Sequence, residues 1–233
     1  MSQAAALRKI DPLEYFRAHL SRGVRPDGRA PLRGRRPAAH RAPLVATHGS
    51  ALVRMGRTAV IAGVSCEPTT PTEEEPSRGR IVVSLELPAV CSPAAAAAAQ
   101  GAAAGRFERE KAALVELLQR TASGGLVDLD ALCAVAGTAV WSCYCDLYVL
   151  EHDGNLADVA MLAMMRALSA VRLPRVAVDE VSAALTVVEE DSLPVELVRP
   201  LFPCSFGVLS GKGAGAGCRV QGEGGGGRGE GEG

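Results

Sequence analysis

The stretch of sequence that decides the fold is TAVWSCYCDLYVLE, residues 138–151. Apolar and polar side chains alternate along it, which is the pattern of a long strand with one buried face. The face that we expect to be buried carries Trp141, Cys143, Cys145, Leu147 and Val149. The other face is amphipathic and carries Ser142, Tyr144, Asp146 and Tyr148. Asp146 is a candidate catalytic acid, although we favour its pairing with a basic group at a strand edge or interface.

The residues after this strand predict a turn and a helix. His152-Asp153-Gly154-Asn155 has turn composition. Residues 156–170 are apolar on nearly all sides of a helix, so we expect this helix to pack on a sheet and under another layer. Shorter strands are predicted near 175–178, 183–188 and 202–209.

The residues before it predict a hairpin and a further strand. Residues 51–55 and 58–66 are rich in Val, Ile and Ala and are joined by Gly56-Arg57. Residues 67–79 form a polar loop, and residues 80–87 form another Val- and Ile-rich strand. The sequence therefore predicts a sheet built from both sides of the segment 138–151.

Helices are predicted at three places before residue 138. Asp11 and Pro12 are suited to cap and begin a helix over 12–21. Residues 107–120 form an amphipathic helix with Phe107, Leu114 and Leu118 on one face and Leu117 beside them. The alanine-rich residues 92–105 fit either a helix or a flexible insert.

Charge limits the possible functions. The 233 residues have a net charge of -1, so any contact with RNA must come from a local basic patch. Residues 22–41 hold seven arginines and one acid, Asp27, and arginine presents a planar fork of donors to phosphate. A solvated basic loop is the alternative. The candidates for contact with RNA or with a neighbouring subunit are Arg25, Arg29, Arg33, Arg35, Arg36, Arg78 and Arg80.

No catalytic or metal-binding motif stands out. The four histidines are far apart in sequence, and no nucleotide-binding fingerprint is present. Seven scattered cysteines indicate reduced thiols in the cytosol or nucleus. Cys143 and Cys145 lack a second pair of zinc ligands, so we expect no metal and no cofactor.

Several segments, in order along residues 11–209, resemble RNase PH-type domains, and specifically the ring subunits of eukaryotic exosomes. The opening signature is Arg25-Pro26-Asp27-Gly28-Arg29, and the family's first hairpin is similar to residues 49–64. The remaining similar segments are residues 11–17, 87–92, 141–147 and 153–155.

The resemblance implies an α+β fold, an RNase PH-like βαβα domain of the ribosomal protein S5 domain 2-like type. We place this domain at residues 1–210, incomplete at its C-terminal end, with a disordered Gly-rich tail at 211–233. The family's later strands and long helix are missing, which would expose one face of the sheet and of the helix at 156–170. Either the tail is a product of gene-model error or alternative splicing, or the chain is stable only beside its neighbours.

The resemblance also implies a function. Domains of this type assemble head to tail into a six-membered ring, so the expected partners are other RNase PH-like subunits, the S1/KH cap subunits and RNA, with no membrane. The expected compartments are the nucleus, nucleolus and cytoplasm. Active members degrade RNA with inorganic phosphate, and two alternatives therefore remain open: an active phosphate-dependent 3′-5′ exoribonuclease, and a stand-alone RNA-binding protein.

Three departures from the active pattern favour a non-catalytic subunit. Leu156 and Ala157 stand where active members have a Thr-Arg pair that grips phosphate. An alanine run replaces the arginines before the helix, where Arg106 and Arg109 alone remain nearby. The strand with the catalytic acids would follow residues 206–209, where the sequence becomes Gly-rich. Since one lost charge-stabilising donor can cost about 10²- to 10³-fold in rate, we expect no catalytic residue here.

Overall fold

The structure is a computed structural model that describes residues 10–101, 104–178 and 185–207. The chain divides into two compact units. Unit 1 comprises Met1–Arg35 and Phe206–Gly233, and unit 2 comprises Arg36–Ser205. The tail predicted at 211–233 lies outside the described residues, and the boundary at 210 stays a prediction.

Helix α1 of unit 1, Pro12–Leu20, begins as the sequence predicts. The Asp11 carboxylate accepts a hydrogen bond from the Glu14 N–H at 3.0 Å, which satisfies one of the unpaired donors of the first turn. Pro12 occupies the first turn, where its missing N–H costs nothing. Gly23 follows the helix with a φ of +71°, a conformation that glycine adopts without strain.

Unit 2 is built on a six-stranded sheet. Its strands are β1 (Pro37–Arg41), β2 (Gly49–Met55), β3 (Thr58–Thr69), β4 (Arg80–Glu86), β5 (Cys133–Val135) and β6 (Ala139–Glu151). Their order across the sheet is β1-β2-β3-β6-β4, with β5 paired to the start of β6. Strand β6 runs antiparallel to β3 and parallel to β4. It therefore lies between β3 and β4, as the strands predicted on both sides of residues 138–151 led us to expect.

The described part of unit 2 also contains three α-helices and a two-stranded ribbon. The alanine-rich segment forms helix α2, Pro93–Ala99, which Ser92 caps by accepting from the Ala95 N–H at 3.1 Å. Helix α3 spans Ala104–Thr121, and helix α4 spans Leu156–Leu168 and packs on β2, β3 and β6. Strands β7 (Arg172–Val178) and β8 (Leu185–Pro194) form an antiparallel pair. Among the described residues, no helix combines the length and apolarity needed to cross a membrane.

The core lies between the sheet and helix α4, and small side chains let the two approach closely. The five residues predicted to be the inner face of β6 are all buried. A Cβ atom on Gly49 would lie 2.7 Å from the Ala167 carbonyl oxygen and from the Val171 nitrogen. Only glycine fits there, so the start of β2 fixes the distance to the end of α4.

The structure corrects several predictions about these elements. Leu117 does not join the inner face of α3, because it is 48% exposed whereas Leu118 is fully buried. Residues 67–69 belong to β3 rather than to a loop, because they pair with the start of β6. Residues 202–207 form no strand, whereas 183–184 and 208–209 lie outside the described residues.

The prediction that one face of the helix at 156–170 would be exposed is wrong. Ten of the thirteen residues of α4 are buried, and Arg166 alone is fully on the surface. The outer face of the sheet is more open, since Tyr148 and Leu150 of β6 are each 45% exposed. The exposed face predicted here is therefore found on the sheet and not on α4.

Candidate nucleic-acid interface

The turn at Asp27-Gly28-Arg29 in unit 1 is closed by its own charges. Arg29 donates to Asp27 Oδ2 through Nε at 2.9 Å and through Nη2 at 2.7 Å. Its Nη1 donates to the Arg33 carbonyl oxygen at 2.9 Å. The side-chain hydrogen bond from Arg29 is the main reason why the pKa of Asp27 lies below its usual value. Arg29 is therefore occupied by the loop itself, and phosphate would have to compete with Asp27 for it.

The other arginines of this loop differ in their burial and in the hydrogen bonds of their side chains. Arg25 is half-buried and donates from both Nε, at 2.9 Å, and Nη2 to the Pro31 carbonyl oxygen. Arg35 is half-buried, whereas Arg33 and Arg36 are exposed. Arg36 begins unit 2, and the other three belong to unit 1. Arg33 and Arg36 are thus the arginines whose guanidinium groups are most available to an outside phosphate.

Arg78 and Arg80 of unit 2 have different partners on either side of Gly79. Arg78 forms an ion pair with Glu75 at 2.6 Å, and Arg80 donates through Nε to Ser142 Oγ at 2.8 Å. A Cβ on Gly79 would lie 2.7 Å from the Trp141 carbonyl oxygen, so this glycine lets the chain pass close to β6. The two arginines therefore have separate partners, and both remain exposed.

Arg78 also lines an open cleft of about 470 Å³. A second arginine, Arg199, lines the same cleft, together with the backbone of Gly124 and Gly125 and the acids Asp128 and Asp130. The two acids offset the two arginines, which weakens the attraction of the cleft for a polyanion. Arg199 was not predicted from the sequence, because a single arginine between Val198 and Pro200 carries no local pattern.

The turn at Asp153-Gly154-Asn155 leads directly into α4. Thr58 Oγ1 donates to the Gly154 carbonyl oxygen at 2.7 Å and accepts from the Asp153 N–H at 3.0 Å. The next residue, Leu156, is 8% exposed, so its apolar side chain is buried at the helix start.

An acid lies in the first turn of α4. The Asp158 carboxylate is buried and accepts from the Ser205 N–H at 3.1 Å, from the Ser205 hydroxyl at 2.9 Å and from Asn155 Nδ2 at 2.8 Å. A negative group at this end of a helix is favourable, since the helix dipole is positive there. The start of α4 therefore already holds an anion of the chain's own.

The remaining candidate residues each have a partner within unit 2. Arg106 pairs with Glu110 at 2.8 Å, and Arg109 donates to the Gly105 carbonyl oxygen at 2.9 Å, both within α3. Within the described residues Asp146 meets a hydroxyl rather than a basic group, because its Oδ1 accepts from the Ser84 hydroxyl at 2.6 Å. A basic partner for Asp146 at an interface stays a prediction. A hydroxyl from the parallel neighbour β4 meets this acid, and strand pairing could not be deduced from local sequence.

The cysteines do not form a metal site within the described part of the chain, where no group of three or more His, Cys, Asp or Glu side chains could hold an ion. Cys145 is fully buried, and burial raises its pKa to about 12. Cys66, Cys91, Cys133, Cys143 and Cys145 carry thiols that are not joined in disulfides.

A mixed sheet with a helix on its inner face, together with the RPDGR and DGN turns, is the arrangement that the resemblance predicts. The RNase PH family, described as the 3′ exoribonuclease family, domain 1, matches residues 35–174. The chain therefore belongs to the RNase PH family.

Individual relatives show which members of this family the chain is similar to. The chain is 29% identical over 205 residues to the exosome complex component rrp43 of Schizosaccharomyces pombe, covering 88% of this chain and 74% of that protein. It is 33% identical over 195 residues to the exosome complex component Rrp42 of Methanopyrus kandleri, covering 83% and 68%. It is also 34% identical over 166 residues to the exosome complex component RRP45 of Danio rerio, of whose length it spans 39%.

Solved structures agree with the fold. One is the Archaeoglobus fulgidus exosome with RNA bound to the active site, at 30% identity and a TM-score of 0.59, covering 70% of this chain and 61% of that chain. Another is an archaeal exosome core, at 26% identity and a TM-score of 0.60, covering 84% and 69%. The predicted RNase PH-like fold is confirmed by these likenesses and by the family match.

Proposed function

We propose that this chain is a non-catalytic structural subunit of an exosome ring, in which it supports the 3′-to-5′ processing and degradation of RNA, including rRNA maturation and mRNA turnover. Its membership of the RNase PH family supports the proposal. So do its relatives, which are exosome components from a fungus, an archaeon and a vertebrate. The partners we propose are other RNase PH-like subunits, the S1/KH cap subunits and RNA, in the nucleus, nucleolus and cytoplasm.

The start of α4 is the observation that carries the non-catalytic part of the proposal. Phosphorolysis depends on positive donors that hold phosphate and stabilise the charge of the transition state. This helix begins instead with the buried Leu156, followed by Ala157 and the carboxylate of Asp158. A phosphate bound here would therefore lie beside an apolar side chain and a second negative charge, and no guanidinium group would stabilise it.

An activity assay tests this proposal. We would incubate the full chain, alone and with its closest ring partner, with 3′-labelled RNA and inorganic phosphate, and measure the release of nucleoside diphosphates. The expected result is no release above the partner's own rate. An active family member serves as the positive control. Release that disappears in the Arg106→Ala, Arg109→Ala double variant of this chain would instead support the active exoribonuclease.

The seven arginines remain proposed contacts to RNA or to a neighbour, and the structure orders them by availability. Arg33 and Arg36 are exposed, whereas Arg29 and Arg78 each pair with an acid at 2.7 and 2.6 Å. Replacing Arg36 with glutamate should weaken RNA binding by the assembled ring more than Arg57→Glu does. Arg57 is a matched control because it is equally basic and 78% exposed but pairs with Glu151. Equal affinities of the two variants would count against contact through Arg36.

Assembly distinguishes the proposal from a stand-alone RNA-binding protein. We expect the tagged full chain to co-purify with at least one other RNase PH-like subunit after nuclease treatment. Recovery of the chain with RNA but without any such subunit would favour the stand-alone alternative. Fractionation of the same tagged chain into nucleolar, nuclear and cytoplasmic pools tests the proposed compartments.

A further inference from the structure

Two buried cysteines face each other across the centre of the sheet. Cys66 of β3 and Cys143 of β6 are partners in the antiparallel register, 77 positions apart in sequence. Both side chains point into the core, where Cys66 is 4% and Cys143 is 2% exposed. Neither residue takes part in the proposed function, so the pair can be considered independently of it.

The hydrogen bonds of β3 show which kind of cross-strand pair this is. The Cys66 N–H donates to His48 Nδ1 at 3.1 Å, and the Val64 carbonyl oxygen accepts from the His48 N–H at 2.9 Å. Both groups therefore point away from β6, and Cys66 and Cys143 form a non-hydrogen-bonded pair. In such pairs the Cα atoms are about 4.5 Å apart and the side chains approach most closely. This separation falls within the range of about 4.4–6.8 Å that a disulfide requires.

The distance between the two sulfur atoms is consistent with this backbone geometry. Cys66 Sγ and Cys143 Sγ are 2.8 Å apart, closer than the roughly 3.5–4.0 Å of an ordinary non-bonded contact. A disulfide bond is about 2.05 Å long, so a movement of less than about 1 Å would join the two atoms. In the described strand pairings neither Cys66 nor Cys143 lies opposite any other cysteine, and the neighbouring Cys145 lies opposite Val64.

We propose that Cys66 and Cys143 form an oxidisable dithiol that a hydroperoxide converts to a disulfide, covalently joining β3 to β6. The sulfur of one cysteine attacks the peroxide, the O–O bond breaks, and one water or alcohol leaves with the thiol proton. The sulfenic acid that results is then attacked by the second sulfur. The S–O bond breaks, the S–S bond forms and a second water leaves. Two thiols lose two electrons, and the peroxide takes them up.

The surroundings of the pair determine the rate of this step. The hydrogen bond to Cys143 and burial raise the pKa of the Cys66 thiol, which keeps it protonated and slows its attack. A small hydroperoxide suits a buried pair better than a bulky disulfide reagent, because it needs little space. Cys204 is exposed and therefore reacts earlier, which provides an internal reference for the dose of oxidant.

The test is a peroxide titration of the full chain, followed by alkylation of free thiols, proteolysis and mass spectrometry. Trypsin leaves Cys133, Cys143 and Cys145 in one peptide, because no Lys or Arg lies between Arg120 and Arg166. A second cleavage at Tyr144 separates Cys143 from Cys145. The expected product is a peptide containing Cys66 joined to one containing Cys143, formed at peroxide doses above those that consume Cys204.

Three single variants provide matched controls. Cys143→Ser and Cys66→Ser should each abolish the linked peptide, whereas Cys145→Ser, on the same face of the same strand, should leave it unchanged. The oxidised wild-type chain should also melt about 5 °C or more above the reduced chain, and Cys143→Ser should lose this difference. The proposal is overturned if Cys204 is fully oxidised while Cys66 and Cys143 remain alkylatable, or if Cys66 is linked to Cys133 or Cys145 instead.

Discussion

Two turns with the same Asp-Gly core are stabilised in different ways. Asp27-Gly28-Arg29 in unit 1 and Asp153-Gly154-Asn155 in unit 2 place their glycines at similar φ values, +82° and +86°. The first turn is closed locally, since the Arg25 N–H donates to the Arg29 carbonyl oxygen at 2.8 Å and Arg29 pairs with Asp27. The second depends on Thr58, 96 positions from Gly154 in sequence.

The first turn can form from a short motif alone, whereas the second turn forms only within the fold of unit 2. A locally closed turn forms with few constraints from the rest of the chain, and its charged pair is exposed to solvent. The turn before α4 is assembled only when β3, β6 and residue 205 are in place. We therefore expect large stability effects at the second turn and small effects at the first.

The largest effect is expected from Asp158→Ala. The buried Asp158 carboxylate accepts three hydrogen bonds, from Asn155 and twice from Ser205. Removing it takes a charged acceptor away from three part-buried hydrogen bonds, so the free energy of unfolding should fall by about 3 kcal/mol in a urea titration. Asp158→Asn keeps one carbonyl acceptor and should lose clearly less. Equal losses for both variants would show that charge, rather than hydrogen bonding, dominates at this position.

Thr58→Val should have the next largest effect. The change keeps the shape of the side chain but removes the hydroxyl that bridges the Gly154 carbonyl and the Asp153 N–H. Because Thr58 is fully buried, water cannot replace it, and we expect a loss of about 2 kcal/mol in the free energy of unfolding. Thr58→Ser retains the hydroxyl and isolates this effect from the loss of a methyl group. If Thr58→Val left the free energy of unfolding unchanged, the turn would close without its distant partner.

Gly154→Ala tests the energetic cost of the backbone conformation alone. No atom lies within 4 Å of a Cβ built on Gly154, so the cost comes only from its φ of +86°. We expect a loss of about 1–2 kcal/mol by thermal or urea unfolding. Gly34 offers the control, because its Cβ also meets open space and its φ is not in the left-handed region. Gly34→Ala should be neutral, and a similar loss in both variants would exclude backbone strain as the cause.

The elements predicted from the sequence are those whose signals are local. The alternation in β6, the Gly56-Arg57 turn of the hairpin and the Asp11 cap of α1 all depend on neighbours within a few residues, and the structure confirms them. Their stabilising contacts follow from periodicity and capping chemistry.

The features that could not be predicted all depend on pairs distant in sequence. Asp146 meets Ser84, 62 positions away, only because β4 and β6 are parallel neighbours. Arg199 reaches the cleft beside Arg78 through the fold of unit 2, and Ser205 reaches Asp158 in the same way. Among the candidate arginines, sequence predicts the positive charge but not whether Glu75 or Asp27 already neutralises it.

The smallest effect is expected at the locally closed turn, and it appears as pH dependence. Chiefly through its hydrogen bond with Arg29, the folded pKa of Asp27 lies below the usual value of 3.8. The ionised carboxylate therefore contributes stability that is present above about pH 4 and is lost as the pH falls through the folded pKa. This contribution should be below about 1 kcal/mol, because the Asp27 side chain is 39% exposed and solvent screens the pair.

An NMR titration of the Asp27 carboxyl carbon measures this shift directly. We expect a midpoint below 3.8 in the wild-type chain and a midpoint close to 3.8 in Arg29→Gln, which removes the positive charge but keeps an amide donor. Arg33→Gln is the control, since Arg33 contributes its backbone carbonyl to Arg29 and not its side chain. If Arg29→Gln left the midpoint unchanged, the turn would be held by its backbone hydrogen bonds alone, and Arg29 would be as available to RNA phosphate as Arg33.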